Sequence, residues 1–575
     1  MPSIKSIRTI AIFVLLLTAR FAMAHVLPKD SGCIELGDRP SLMVKLVGHY
    51  SNTAKPKSLS LSNLQRLSQI ADVQLTSTTP MALGMFVITF KPTPSFNGCY
   101  PKDYLDNIKK QMITAHEASY VAPNALTALD DPTPQRKKQS LPTLTPPGFD
   151  SIKQWDLSSN QQVGGTNAIS AWDITTGSKK AVVAVLDTGV LENTSLSPNL
   201  LTDDAASFFN GGSIAANANA QCPSCGGADH GTHVAGTVAS SGNGAYGQHM
   251  YGLNYEGRVL PVNIFSKFSA SECEGVTGQN KPCLLAILSD VLDAQDWLSG
   301  TPYAGLPAAP KVVIINMSIS GQTSCDTPMQ EMRNRLYNQN IAVVVAAGNS
   351  NTDVDTDNNC TKQVVVAATG PTNKKAFYSS WGNAVTISAP GGDMGLSGAN
   401  TGILSTVEDG YGQQQGTSMA SPHVAGVLGL EFAANPGLTA AQAYTALKMD
   451  PRPLAVGEGT RSCASPRACG VGIVNAYAAV KTAAQYMAPV LTTAVRNPLK
   501  LSQAWVAYTD AGSVFTGRQL SSPELPDTTV TYDAANKRFV IDNIQTAKST
   551  KFTIVAKNGN ATGTSNTITL PGILQ

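Results

Sequence analysis

The chain is 575 residues long, 42% hydrophobic and 14% charged, and its 41 lysines and arginines nearly balance 39 aspartates and glutamates. A length several times the roughly 150 residues of one domain calls for several cores, and the apolar content can build them, which excludes a disordered chain. The balanced charge excludes the electrostatic footprint of a nucleic-acid binder or a protein held on an anionic membrane.

In chain order, the first element reads as an export signal. Lys5 and Arg8 precede the apolar run Ile10 to Leu17, and Ala22-Met23-Ala24 provides small residues ahead of a cut after Ala24. The run falls well short of the roughly 20 residues of a spanning helix, and Arg20 interrupts it, so residues 1–24 are expected to be removed rather than to anchor the chain. No later segment reads as transmembrane, and secretion is expected. An even count of ten cysteines fits an oxidising compartment. Cys222 with Cys225, Cys273 with Cys283 and Cys463 with Cys469 are close in sequence, with Cys325 and Cys360 as a longer bridge and Cys33 left for Cys99. Spacing alone does not fix this connectivity. Cys222-Pro-Ser-Cys225 also reads as half a zinc site or a redox pair, but no second close Cys/His pair completes the first and export disfavours the second.

Residues 25 to about 130 combine the strand-like run Met85 to Phe90 with a helix-like run from Asp103 to about Tyr120, a small α+β unit. From Asp131 to Pro147, prolines around Arg136-Lys137-Lys138 predict an extended, protease-accessible linker. Between about 150 and 487, short unbroken apolar runs (Ala181 to Leu186, Val259 to Phe265, Val312 to Met317, Ile341 to Ala346, Val364 to Ala368) alternate with helical patterns at Leu284 to Leu298 and Pro328 to Tyr337. Runs without polar alternation suit strands covered on both faces, which predicts an α/β, doubly wound, mostly parallel sheet. Its chemistry is expected beyond the carboxyl ends of the strands. Residues 488–575 alternate β-formers with polar residues at 528–532, 538–541, 551–556 and 567–570, a small all-β, sandwich-like module.

Four motifs fall where such a sheet places its crevice. Asp187 ends the run Ala181 to Leu186 and precedes Thr188-Gly189, so a carboxylate sits at a buried strand end; alone it reads equally as a turn cap. His230 opens His230-Gly-Thr-His-Val-Ala-Gly236 at the start of a buried helix. The pair His230 and His233 also suits zinc, but no His-Glu-x-x-His motif or third ligand accompanies it, and His233 reads as a packed core residue. Ser418 lies in Gly416-Thr-Ser-Met-Ala-Ser-Pro-His423; Pro422 is tolerated only in a first turn, which puts Ser418 at a helix N-terminus whose free N–H groups favour negative charge. Asn349 ends Ile341 to Gly348, where its amide could serve a turn or donate to an oxyanion.

Together these motifs resemble the subtilisin family of serine peptidases over roughly residues 150–487, and Gly470 to Ala476 resembles that family's closing helix segment. The Asp, His, Ser order is the family's own. The resemblance implies that Ser418 attacks a peptide carbonyl, His230 moves the proton, Asp187 holds the ring, and Asn349 joins the Ser418 N–H in the oxyanion hole. Asn316 to Gly321 resembles the substrate-pairing strand, so Ser318, Ile319 and Ser320, with Ala346, Ala347 and Gly348, are expected at the substrate. Ser320 stands where a glycine is common in the family. The resemblance also implies a propeptide at residues 25–145 acting as chaperone and inhibitor, a peptidase domain at 146–487, protein or peptide substrates and a monomer. Catalysis would need no cofactor. Asp353 to Asn359 offers alternating oxygen ligands for a structural calcium ion, although it lacks the glycine and distal glutamate of an EF-hand loop, and a solvated loop is the plainer reading. A binding protein that keeps the peptidase scaffold would need a broken motif, and none is visible; an esterase of the α/β-hydrolase type would place its serine in Gly-x-Ser-x-Gly.

Overall fold

The computed structural model describes residues 33–128, 153–217, 228–486 and 490–571, leaving out short stretches within them, of which 48–58, 161–163, 244–248, 320–324, 510–516, 522–529 and 545–548 are the longest. The expected signal, most of the linker, and Cys222 and Cys225 lie outside the described residues.

The apolar runs of the middle of the chain become one eight-stranded sheet. Its strands, in chain order, are β1 (Val182–Asp187), β2 (Ala206–Phe209), β3 (Ser213–Ala215), β4 (Arg258–Asn263), β5 (Ile314–Met317), β6 (Ala342–Ala346), β7 (Val364–Thr369) and β8 (Ile387–Pro390), arranged 3-2-4-1-5-6-7-8. All neighbours are parallel except β3, which pairs antiparallel with β2. Successive strand residues point to opposite faces, and both faces are covered. Val183 and Val185 enter one core with Ile314, Val344 and Val366, whereas Val182, Ala184 and Leu186 enter a second with Ile315, Val343 and Val345. The first core is closed by helices α1 (Ala228–Ala239), α4 (Thr417–Ala434) and α5 (Ala476–Gln485), the second by α2 (Leu288–Leu298) and α3 (Thr327–Asn338).

The N-terminal unit is a four-stranded antiparallel sheet in the order Leu75–Met81, Met85–Phe90, Ser41–Leu46, Ala118–Pro123, with helices Leu61–Ala71 and Lys102–Thr114. One sheet face, with Leu42, Val44, Phe86 and Ile88, packs under Leu64, Leu67, Leu105, Ile108 and Met112. The other, with Met43, Met85, Val87 and Ala122, joins the second peptidase core beside Leu288 and Leu292 of α2. Polar contacts fix the docking. Asp293 Oδ1 accepts from Ala82 N at 2.7 Å, Tyr120 Oη donates to Asp326 Oδ2 at 2.6 Å, and Asn124 exchanges bonds of 3.0 Å with the Ser289 hydroxyl and N–H.

Two helical expectations need correction. The helix read from Leu284 begins at Leu288, because Cys283–Ile287 is a strand between Phe265–Phe268 and Leu126–Ala128, antiparallel to both. The helix read to Tyr120 ends at Thr114, where Ala115 and His116 (φ 56°) turn the chain into strand Ala118–Pro123. Three of the expected disulfides, Cys273–Cys283, Cys325–Cys360 and Cys463–Cys469, are formed. Cys99 is disulfide-bonded, while the Cys33 side chain lies outside the described residues. Beyond α5, strands such as Val490–Asn497, Lys500–Thr509, Arg538–Ile541 and Thr550–Asn558 build a module with its own core of Val506, Tyr508, Phe539, Ile541 and Phe552.

Candidate active site

Three strand ends and two helix starts meet at the carboxyl edge of the sheet. Asp187 is the last residue of β1 and is 0% exposed. Its Oδ1 accepts from the Thr188 N–H and lies 2.7 Å from His230 Nδ1. His230 is the third residue of α1, and its helix approaches the β1 turn closely because Gly231 lacks a side chain: a Cβ there would lie 2.1 Å from the Gly189 carbonyl oxygen. The Gly231 N–H donates to Thr188 Oγ1, so the residues of the strand end hold both the ring and the backbone that carries it.

Ser418 is the second residue of α4, an entirely buried helix in which Pro422 is the sixth residue, past the expected first turn; the Ser418 carbonyl that Pro422 cannot serve accepts from Ser318 Oγ instead. At the second position the Ser418 N–H has no helix carbonyl to meet. Asn349 follows β6 after Gly348, whose φ of 105° turns the chain into the crevice. The Thr417 N–H and Oγ1 both donate to Asn349 Oδ1, at 2.8 and 2.9 Å. A backbone N–H can only donate, so the amide oxygen is the atom facing Thr417, and Nδ2 points the other way. A Cβ on Gly416 would lie 3.5 Å from Asn349 Nδ2 and 3.6 Å from Ser418 N, so the two nitrogens lie near one common point. Two donors about that point suit a tetrahedral oxyanion.

Ser318, expected at the substrate, is bonded to the serine as well. Ser418 Oγ donates to the Ser318 carbonyl at 3.1 Å, and Ser318 Oγ donates to the Ser418 carbonyl at 2.8 Å. Ile319 is buried beside it, and Ser320 lies outside the described residues. Ala346 and Ala347 are buried, with their carbonyls 3.4 and 3.5 Å from Asn358 Nδ2. Thr417, Asn358 and the reciprocal Ser318 bonds escaped sequence reasoning; the hydroxyl beside the serine in Gly-Thr-Ser was the available signal for the first. His233 is a core residue: its Nε2 donates to the Ile403 and Gly412 carbonyls, and burial pushes its pKa down to about 3.

In the Asp353 to Asn359 loop, the carboxylates of Asp353 and Asp355 are engaged by N–H donors. Asp353 Oδ1 accepts from Asp355 N, and the two oxygens of Asp355 accept from Ala384 N and Asn383 Nδ2, so N–H donors hold the loop as a hydrogen-bonded turn. Asp357 lies outside the described residues.

A strand-end carboxylate paired with an imidazole, beside a helix-start serine on a doubly wound sheet, defines the class of serine-nucleophile sites. Residues 178–472, just over half of the chain, match the model of the subtilase family, peptidase family S8, and the chain belongs to that family. It is 38% identical over 362 residues to a protein named extracellular protease from Xanthomonas campestris pv. campestris, covering 59% of this chain and 57% of that one. It is 31% identical over 306 residues to the extracellular basic protease of Dichelobacter nodosus, covering 49% and 47%. Thermitase of Thermoactinomyces vulgaris is 30% identical over 318 residues, covering 55% and 93%. The chain thus spans about half the length of the first two relatives and nearly all of the third.

Proposed function

We propose that the chain is a secreted serine endopeptidase that hydrolyses peptide bonds of extracellular proteins through an acyl-enzyme. Ser418 attacks the scissile carbonyl. His230 takes the hydroxyl proton and returns it to the leaving amine, and Asp187 holds the ring with Nδ1–H toward itself. The Ser418 N–H and Asn349 Nδ2 receive the oxyanion. For attack, the Ser418 hydroxyl exchanges its bond to the Ser318 carbonyl for one to the imidazole. The observation that carries this reading is the buried Asp187–His230 bond at the sheet edge where Ser418 N and Asn349 Nδ2 converge. No metal is given a role.

Residues 25–145 act, in this reading, as a propeptide that aids folding and then inhibits. Its support is the antiparallel pairing of Leu126–Ala128 with Cys283–Ile287, the way an extended peptide adds to a sheet edge. The basic, proline-rich linker is the region for its release. Export rests on the pattern of residues 1–24 and on the extracellular names of the two bacterial relatives. Residues 488–575 serve as an accessory module, and truncation after 487 should leave turnover of a small peptide unchanged.

The test is the full-length precursor carrying Ser418→Ala. It should keep its N-terminal segment and leave casein intact; a variant that still processes itself and digests casein refutes the assignment.

A further inference from the structure

A second histidine and aspartate, distinct from the pair at the crevice, lie beneath the serine. His423 sits on α4 one turn beyond Ser418 and is 0% exposed. Its Nδ1 is 2.8 Å from the carbonyl oxygen of Met419, the residue after Ser418, and its Nε2 is 2.9 Å from Asp156 Oδ2. Asp156 is 2% exposed, in the turn Trp155–Leu157 that the chain forms as it leaves the linker.

The donor count of the ring is constrained. A peptide carbonyl accepts and never donates, so Nδ1 carries a proton. The Nε2–Oδ2 bond needs a second proton, held between the ring and the carboxyl. The result is a ring bonded at both nitrogens, in an interior where such bonds act strongly.

The pair joins the turn Trp155–Leu157 to α4 by a polar bond within the core that Trp155 and Leu157 share with Met419 and Val424. Asp156 is fixed from behind: its carbonyl accepts from the N–H and hydroxyl of Thr166, at 2.6 and 3.0 Å, and the carbonyl of Thr166 accepts from Ala476 N at 2.8 Å at the start of α5. Trp155 Nε1 donates to the Gly402 carbonyl at 3.0 Å. The carbonyl that His423 grips belongs to the first turn of α4, the turn that presents the Ser418 N–H and, through Thr417, orients Asn349.

We infer that Asp156 and His423 are a positioning pair, in which the segment following the linker clamps the first turn of α4 and thereby sets Ser418 N and Oγ. The pair touches no substrate. It rests on the reading of Ser418 as nucleophile only for its kinetic consequence, not for the state of the ring.

Two measurements on the mature enzyme test it. In the protein inactivated with a sulfonyl fluoride and labelled with ¹⁵N-histidine, His423 should give two exchange-protected proton signals, one at each ring nitrogen, and Asp156→Asn should lose one of them. With active sites counted by titration, Asp156→Asn should lower kcat about tenfold while KM stays within about twofold, since the turn that is loosened presents the reacting groups and not the substrate-pairing strand. Asp156→Glu should recover part of the loss. A single such signal in the unsubstituted enzyme overturns the pair, as does an Asp156→Asn enzyme with unchanged kcat per active site or with a loss confined to KM. If Asp156→Asn fails to mature, the ring spectrum of the unsubstituted enzyme decides alone. Turnover surviving in Ser418→Ala would instead sink the reading of the nucleophile, leaving the ring spectrum to stand or fall separately.

Discussion

Two sheets of this molecule bury both faces, but with different partners. In the eight-stranded sheet, helices from the same stretch of chain cover both sides, and only the outer flank of the second core also takes in Met43, Met81, Met85 and Val87 of the N-terminal unit. The four-stranded sheet covers one face with its own two helices and lends the other to α2. The larger sheet has helices of its own on both faces. The smaller depends on its host, since undocking would return Met43, Met81, Met85 and Val87 to water, and buried apolar surface is the main stabilising term. An N-terminal unit built in this way is the more fragile of the two parts.

Substitutions can break or sharpen that contrast. The largest effect is expected from Met43→Asp in the N-terminal segment supplied in trans. Met43 is fully buried against the peptidase, and an uncompensated buried carboxylate costs several kcal/mol, so the inhibition constant should rise at least about a thousandfold. An inhibition assay that shows less than a tenfold change would mean that the lent face is not the docking face.

Acid should weaken the larger sheet's side through His233. Its folded pKa lies near 3 because burial disfavours the charged ring, whereas the unfolded ring has its ordinary value of 6.5. The unfolded chain therefore binds the proton first. The stability involved is fully present above pH 6.5 and is lost as pH falls toward 3, on the order of 3 kcal/mol between pH 7 and pH 4. Denaturant titrations of the serine-inactivated protein should show the gap between unsubstituted protein and His233→Gln narrowing by that amount.

A smaller gain is expected at Glu431 of α4. Both of its carboxyl oxygens are buried without a hydrogen-bond partner among the described residues, and burial raises its pKa well above the usual carboxylate range. Glu431→Leu should stabilise the peptidase by about 2 kcal/mol, read as a higher Tm. The gain should be larger at pH 8 than at pH 4, because burial raises the folded pKa above the unfolded one and the stability lost to that shift grows as pH rises past the unfolded value. The smallest effect belongs to Tyr120→Phe, which removes the hydroxyl that donates to Asp326 and should weaken inhibition about tenfold, near 1.4 kcal/mol.

The sequence was most legible where local pattern and burial agree. The runs of β1, β6 and β7 and the strand Met85–Phe90 fall within about a residue of their expected bounds. The motif residues Asp187, His230, Asn349 and Ser418 lie at the strand ends and helix starts that their neighbours implied. The failures are non-local. Cys283–Ile287 carries apolar residues that suit a helix, but its conformation is decided by Leu126–Ala128, far earlier in the chain. Strand Val490–Asn497 escaped notice because its register with Lys500–Thr509 shifts near Leu491 and Arg496, which blurs the alternation. Asp156 and His423 are 267 residues apart, and Ser318 and Ser418 are 100 apart, so no window joins either pair.

The strand Cys283–Ile287 has a further consequence once Leu126–Ala128 departs. Its outer row of N–H and C=O groups loses its bonding partners, and such a bare rim will take any extended backbone, nearly blind to side chains. The same blindness invites a neighbouring molecule's rim. A strand of five residues, tethered at its first residue by Cys273, is long enough to seize a passing peptide and too short to seed a stack.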